Sequence, residues 1–270
     1  MSGIRVMSHN VWGMYSKDLA NGVANRAEVM RDIYLKYLPD VIGTQEFSAK
    51  IHEKHLPELL AGRYAMLDVD SEVDAAGVAH QFTPMFYRPD RVQPIKKGFF
   101  LYDRAFNNAD SKSVTYATFR MLDGSGEFSV CNTHFWWRSG PEHDAARVVN
   151  AADILKIAGT LSRPVIIMGD LNCVQTSDAY KAIAAGEMSD ARYAAPVTTD
   201  KITHHPYPVF DGARDIFTPA PYENPQAPRS IDHIFIDAEH AARLRKFDVL
   251  TDAAALTTSD HCPLYVDFDV

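Results

Sequence analysis

At 270 residues and 46% hydrophobic, the chain can bury a full core, and none of its apolar runs reaches the ~18 residues a membrane-spanning helix needs. A formal net charge of −8 argues against the broad basic face that tight, indiscriminate binding to duplex nucleic acid requires. The three cysteines, Cys131, Cys173 and Cys262, lack metal-type spacing and read as small buried thiols rather than disulfide partners.

The amino terminus enters a strand-like run at Ile4 without a basic start and apolar stretch, so a cytoplasmic protein is expected. Ile4–Met7 and Val41–Gly43 have the length and β-branched content of buried strands. Between them, Arg26 to Leu38 sets Val29, Met30, Ile33 and Tyr37 on one helical face, stopped by Pro39. Ile51–Ala61 predicts a helix closed by Gly62, with Pro57 bending or breaking it. Residues 63–134 predict mostly strand: Tyr64–Val69, Gln81–Tyr87, Val114–Met121 and Phe128–Thr133, with 71–80 a polar loop and 123–126 a hairpin turn. Pro141 to Ala158 is the clearest helix. Pro141 stands at its start, Glu142 and Asp144 lie in its first turn, and Ala145, Val148, Val149, Ala152 and Leu155 form an apolar stripe before Gly159. After a strand at Val165–Met168, Ser177 caps a shorter helix ending near Gly186. Residues 195–229 predict a long Pro-rich loop around His204-His205, and strands at Ile231–Ile236 and Cys262–Phe268 finish the chain. With neither repeat nor linker, one domain over 1–270 is expected. Arg88, Arg91, Lys96 and Lys97, and separately Arg243, Arg245 and Lys246, read as solvated surface.

Short polar motifs hang on the ends of these apolar runs: Ser8-His9-Asn10, Thr44-Gln45-Glu46, Asn132-Thr133-His134, Gly169-Asp170-Leu171-Asn172, and the pair Ile231-Asp232-His233 with Ser259-Asp260-His261. Singly, each is an ordinary polar strand terminus. Together they place carboxylates, carboxamides and imidazoles at one end of a sheet, where ligands of α/β proteins bind. Clustered carboxylates repel unless a cation neutralises them, which makes a hard divalent cation and phosphate chemistry the expected use. His52-Glu53-Lys54-His55 does not meet the zinc-helix spacing, since its histidines are three apart rather than four.

In order and spacing, these motifs, with Val11-Trp12-Gly13 after the first and Cys262-Pro263 after the last, resemble the endonuclease/exonuclease/phosphatase superfamily from residue 4 to residue 268. The resemblance implies a four-layer α/β sandwich, two central mixed β-sheets flanked by helices, with an active site at one edge. It implies a Mg²⁺- or Mn²⁺-dependent hydrolase of phosphoesters. Glu46 is then the first choice of metal ligand, with Asn10 and Asp260 completing or supporting the shell. His261 is expected as general base, oriented by Asp232. Asn172 and His134 would donate hydrogen bonds to phosphoryl oxygens, and Asp170 would position the nucleophile or serve the leaving group.

The chain departs from the family pattern after His134, with Phe135-Trp136-Trp137-Arg138. Trp136 and Trp137 are expected to form a stacking wall for substrate, Arg138 to clamp a second phosphate, and His204 and His205 to approach the site from their loop. Arg147, on its helix, is expected to be structural. A small or medium phosphodiester or phosphomonoester is the expected substrate. The alternatives are a nuclease, which the acidic balance disfavours, and an inert phosphate-binding protein, which the intact set of polar residues disfavours.

Overall fold

Alternation along the strands sorts their apolar residues into three cores, and this creates the layers. A computed structural model of the protein describes residues 3–13, 23–47, 52–69, 82–107, 111–219, 221–222 and 230–270. One six-stranded sheet runs β13 (Leu244–Val249), β14 (Leu264–Asp269), β1 (Gly3–Asn10), β2 (Val41–Gln45), β4 (Met85–Tyr87) and β3 (Ala65–Met66). The other runs β5 (Val92–Leu101), β6 (Ser113–Met121), β7 (Glu127–His134), β8 (Val165–Asp170), β12 (Asp232–Asp237) and β9 (Met188–Asp190). Ile4, Val6, Val130, Ile166, Met168, Val266 and Phe268 belong to the core between the sheets. On the opposite faces, Met7, Ile42 and Tyr265 pack with Met30, Tyr34, Leu56 and Leu60 of α1 (Val23–Tyr37) and α2 (His52–Leu60). Cys131, Val165 and Ile167 pack with Ala151, Ile154 and Ile183 of α3 (Pro141–Ala158) and α4 (Asp178–Ala185). The four-layer α/β sandwich with two mixed sheets follows.

Topology then places the polar motifs. The pairs β1–β2 and β7–β8 are parallel, so all four strands end at one edge, at Asn10, Gln45, His134 and Asp170. β12 is antiparallel to β8 with Asp232 opposite Asp170, so it begins at that same edge. β14 is antiparallel to β1 with Leu264 opposite Ser8, which brings His261, just upstream, to the edge as well. Gly169 carries φ +144°, and a Cβ there would lie 1.9 Å from the Thr133 carbonyl oxygen, so the close approach of β7 and β8 beneath the site needs glycine.

Several predicted elements are corrected. The strands at 64–69 and 81–87 shrink to β3 and β4, while β5 is an unpredicted edge strand whose Pro94 coincides with a break in register. Pro57 lies inside α2 without ending it. The fully buried face of α3 is Ala146, Arg147, Asn150, Ala151, Ile154 and Ala158, rotated from the predicted stripe: Val148 and Leu155 pack partly buried against the core, while Val149 is 52% exposed. The helix can bury Arg147 and Asn150 because both hydrogen-bond to the 136–138 backbone: Arg147 donates to the carbonyls of Trp136 and Arg138, and Asn150 accepts from the Trp136 N–H. The expected 195–229 loop contains a hairpin, β10 (Val209–Asp211) and β11 (Ile216–Thr218). The short helices α5 (Ala191–Ala194) and α6 (Ala253–Thr258) and the strand β13 were also not predicted. The 123–126 turn joins β6 to β7 as expected, and all three cysteines are free and buried. The 71–80 segment and the side chains of His52 to His55 lie outside what is described. No helix among the described residues is long and apolar enough to cross a membrane.

Candidate active site

Asn10, Glu46 and Asp170 converge from three strand ends. The Asn10 amide donates to Asp170 Oδ2 at 3.0 Å and to Glu46 Oε1 at 3.3 Å. Its own oxygen accepts the Trp12 N–H at 3.0 Å. Glu46 follows β2 at φ +56° and is fixed by the Gly13 N–H, 2.8 Å from Oε2. The left-handed turn swings this carboxylate out of the sheet toward the edge, and its side chain keeps 27% exposure. Asp170 is buried and also accepts the Asn172 N–H at 2.8 Å. Burial works against its charge, yet His261, His134 and Lys112 outweigh that and hold the carboxyl well below the usual carboxylate range. It is a carboxylate at any neutral pH.

Asp170 is shared by two groups of ligand-type atoms, each set lying within 4.8 Å: Glu46 with His134 and Asp170, and Asp170 with Asp232 and His261. In the second, both oxygens of Asp232 face His261 Nδ1, at 2.9 and 3.0 Å, and Nε2 points toward Asp170 at 3.9 Å. Burial opposes the charged form of His261, but Asp232, Asp260 and Asp170 together raise its pKa well above the ordinary value. His134 is buried, 3.4 Å from Asp170. Burial and the neighbouring Lys112 ammonium lower its pKa, so it is a neutral imidazole. The Asn172 amide donates to the Phe135 carbonyl at 3.1 Å, which orients it and leaves its second N–H for a ligand.

Asp260 does not join Glu46. It groups with His204 and His261, 3.6 Å from His204 Nε2, and so stands behind His261 rather than in the Glu46–Asp170 cluster. His204 fits the expectation of access: it bridges to His261 in antiparallel fashion, their rings 4.9 Å apart, and is partly exposed. His205 does not. It is 2% exposed, its backbone N–H donates to the Asp260 carbonyl, and it cannot meet substrate.

The two-ring wall is likewise corrected. Trp136 is 3% exposed, donates its indole N–H to His143 and packs against Phe106, so it has no open face. Trp137 is 53% exposed, with the exposed Arg138 guanidinium 5.4 Å from its ring. Arg147 is structural, as expected. Trp136→Ala should therefore cost about 3–5 kcal/mol of stability, read as a lowered denaturant midpoint. Trp137→Ala should leave that midpoint unchanged and raise KM for a substrate with a stacking group by about five- to hundred-fold. The reverse assignment of effects would mean the two rings are exchanged in role.

Other motif residues are scaffolding. Asn132 Nδ2 bonds the Thr44 and Thr83 carbonyls and its oxygen accepts from Gln45 at 2.6 Å, stitching one sheet to the other beneath the site. His9 pairs with the Tyr34 hydroxyl, and His233 with the Cys173 carbonyl. Two neighbours of the site were not anticipated. Trp12, two residues past Asn10, packs against Tyr207 in a tilted arrangement, ring centroids 5.1 Å apart, with the Arg26 guanidinium over its ring. Lys112 is 5% exposed with Nζ 2.7 Å from His134 Nε2 and 3.0 Å from Nδ1. Burial pulls its pKa down to about 8 despite Glu46 and Asp170, leaving the ammonium predominant at neutral pH.

A model of the Endonuclease/Exonuclease/phosphatase family matches residues 7–261, and the chain belongs to that family. Its members are generally hydrolases acting on phosphoesters and commonly use divalent metals. No curated protein sequence matches the chain. Among solved structures, the fold is similar to a family protein from Bacteroides thetaiotaomicron (24% identity, 100% of this chain and 99% of that one, TM-score 0.78). It is also similar to a mannosyl-6-phosphatase of the same organism (22% identity, 97% and 98%, TM-score 0.74). A third is D. rerio TDP2 complexed with single-strand DNA product (19% identity, 100% of both chains, TM-score 0.68).

Proposed function

We propose that this chain, as a single domain, is a divalent-metal-dependent hydrolase that cleaves a phosphoester of a small to medium substrate by attack of water on phosphorus. The observation that carries this reading is the convergence of Glu46, Asn10 and Asp170 beside the His261–Asp232 pair at one sheet edge. The donor set fits Mg²⁺ or Mn²⁺: the carboxylate oxygens of Glu46 and Asp170 lie within one ligand cluster and suit a hard cation. Lys112 occupies the ring edge of His134, which favours the two carboxylates over His134 as ligands. When bound, such a cation neutralises charge building on the phosphoryl group. Glu46 and Asp170 would hold it, with Asn10 keeping both oxygens in register.

His261 is the general base of this reading, held at Nδ1 by Asp232. Its Nε2 takes the proton of the attacking water, which Asp170, ionised and hydrogen-bonded, orients as the leaving oxygen departs from phosphorus. Asn172 and His134 supply further donors. Because the folded pKa lies above the ordinary imidazole value of about 6.5, the protonated form is lost as pH rises through that raised value. The rate on bis-p-nitrophenyl phosphate should therefore climb with pH through that value to a plateau, and His261→Ala should flatten that rise. A rate that falls as the imidazolium is lost would make His261 a proton donor instead. The negative surface predicts poor turnover of duplex DNA that falls steeply with salt. Efficient, salt-tolerant cleavage of long duplexes would replace the small substrate with a nucleic acid.

A further inference from the structure

Lys112 is a buried cation for which the catalytic scheme above has no task. Its backbone is clamped by Asn107, whose oxygen accepts the Lys112 N–H at 2.7 Å while its amide donates to the Lys112 carbonyl at 2.8 Å and to the Tyr102 carbonyl at 3.1 Å. Thus fixed at the head of β6, the side chain runs inward to the His134 ring. Among the described residues no carboxylate oxygen lies within ion-pair distance of Nζ, although Glu46 and Asp170 are near enough to feel its charge. Burying an ammonium without a paired carboxylate is costly, and folding does not require it, because a methionine or leucine would fill the same space. The charge has its natural partner in an anion brought to the Glu46–Asp170 cluster.

Two consequences follow from this position. An ammonium can only donate, and with Nζ 2.7 Å from Nε2 and 3.0 Å from Nδ1 it holds the neutral His134 ring in place. The charge also changes the balance of the site. A divalent cation between Glu46 and Asp170 would be neutralised by those two carboxylates alone, and Lys112 leaves that half of the site with a positive excess. A phosphomonoester, largely a dianion near neutral pH, gains from this excess about twice what a diester monoanion gains. Resting on the hydrolase reading above, we infer that Lys112 is a positioning and specificity-determining residue that fixes His134 and selects phosphomonoester dianions over phosphodiesters.

The test compares p-nitrophenyl phosphate with bis-p-nitrophenyl phosphate in the Mn²⁺-loaded protein, with inorganic phosphate as the probe of binding. Wild type should prefer the monoester in kcat/KM, and Lys112→Met should reduce that preference by on the order of ten- to hundred-fold, mainly through KM. Lys112→Arg should restore much of it. In thermal unfolding, phosphate should raise the Tm of Mn²⁺-loaded wild type and raise that of Lys112→Met much less, a readout independent of turnover. Equal losses on both esters with an unchanged phosphate effect would overturn the inference and leave the hydrolase reading standing. Wild type that prefers the diester would overturn it without any variant, which covers the case in which Lys112→Met does not fold. Wild type inactive on both esters and on nucleic acids with Mg²⁺ or Mn²⁺ would remove the hydrolase reading itself, and the inference with it.

Discussion

His261→Ala is expected to lower kcat by about 10²–10⁴, the range for loss of a group that manages a proton in the transition state. Both Asp232 oxygens lie about 3 Å from Nδ1, so the carboxylate holds the ring with Nε2 turned toward Asp170. Asp232→Asn keeps the shape but removes the charge that stabilises the imidazolium formed when His261 takes the proton, and should cost less than loss of the ring. Because the two act as one unit, the double variant should be little worse than His261→Ala alone. Strictly additive losses in kcat would show that Asp232 does not serve His261. Removing His261 leaves Asp232 buried without its partner, so the comparison should be made well below the Tm of each variant.

Glu46→Ala should reduce activity by about 10²-fold or more at fixed Mg²⁺ and require a higher metal concentration for what remains. The fold should hold. The side chain is part-exposed and among the described residues its hydrogen bonds come from the Gly13 N–H and the Asn10 amide, so stability should change by no more than about 1 kcal/mol. Relief of its repulsion with Asp170 offsets part of that loss. A variant that binds Mn²⁺ as wild type does in calorimetry, or keeps full activity, would take Glu46 out of the metal site.

The sequence makes the edge of the sheets legible because each functional residue stands at one end of a buried strand, where the switch between apolar and polar is abrupt. Asn10, Glu46, His134, Asp170, Asp232 and His261 meet there as the strand ends require. What escapes is whatever depends on contacts rather than pattern. Edge strand β5 carries Pro94, Lys96 and Lys97 and resembles surface loop, and β13 reads as a charged patch because Arg245 and Lys246 pair with Asp269 and Asp248. The inner face of α3 contains Arg147 and Asn150, so a hydrophobic stripe drawn from composition meets the core only at its border, through Val148 and Leu155. Alternation past a strand end was a usable signal for two corrections: adjacent side chains turn to opposite sides, which buries Trp136 and exposes Trp137, and buries His205 while His204 faces the site. For Lys112 there was no such signal. A lone lysine in a polar stretch acquires meaning only when the Asn107 clamp and the pairing of β6 with β7 bring it to His134.

The most direct test of metal-dependent phosphoester hydrolysis at this edge is the turnover of bis-p-nitrophenyl phosphate and p-nitrophenyl phosphate by the chelator-treated protein, before and after titration with Mg²⁺ or Mn²⁺. Activity should vanish with chelator and return with either ion in wild type, and should not return in His261→Ala. Full turnover in excess chelator, or a metal-restored rate that survives loss of His261, would contradict the assignment of the reaction to these residues.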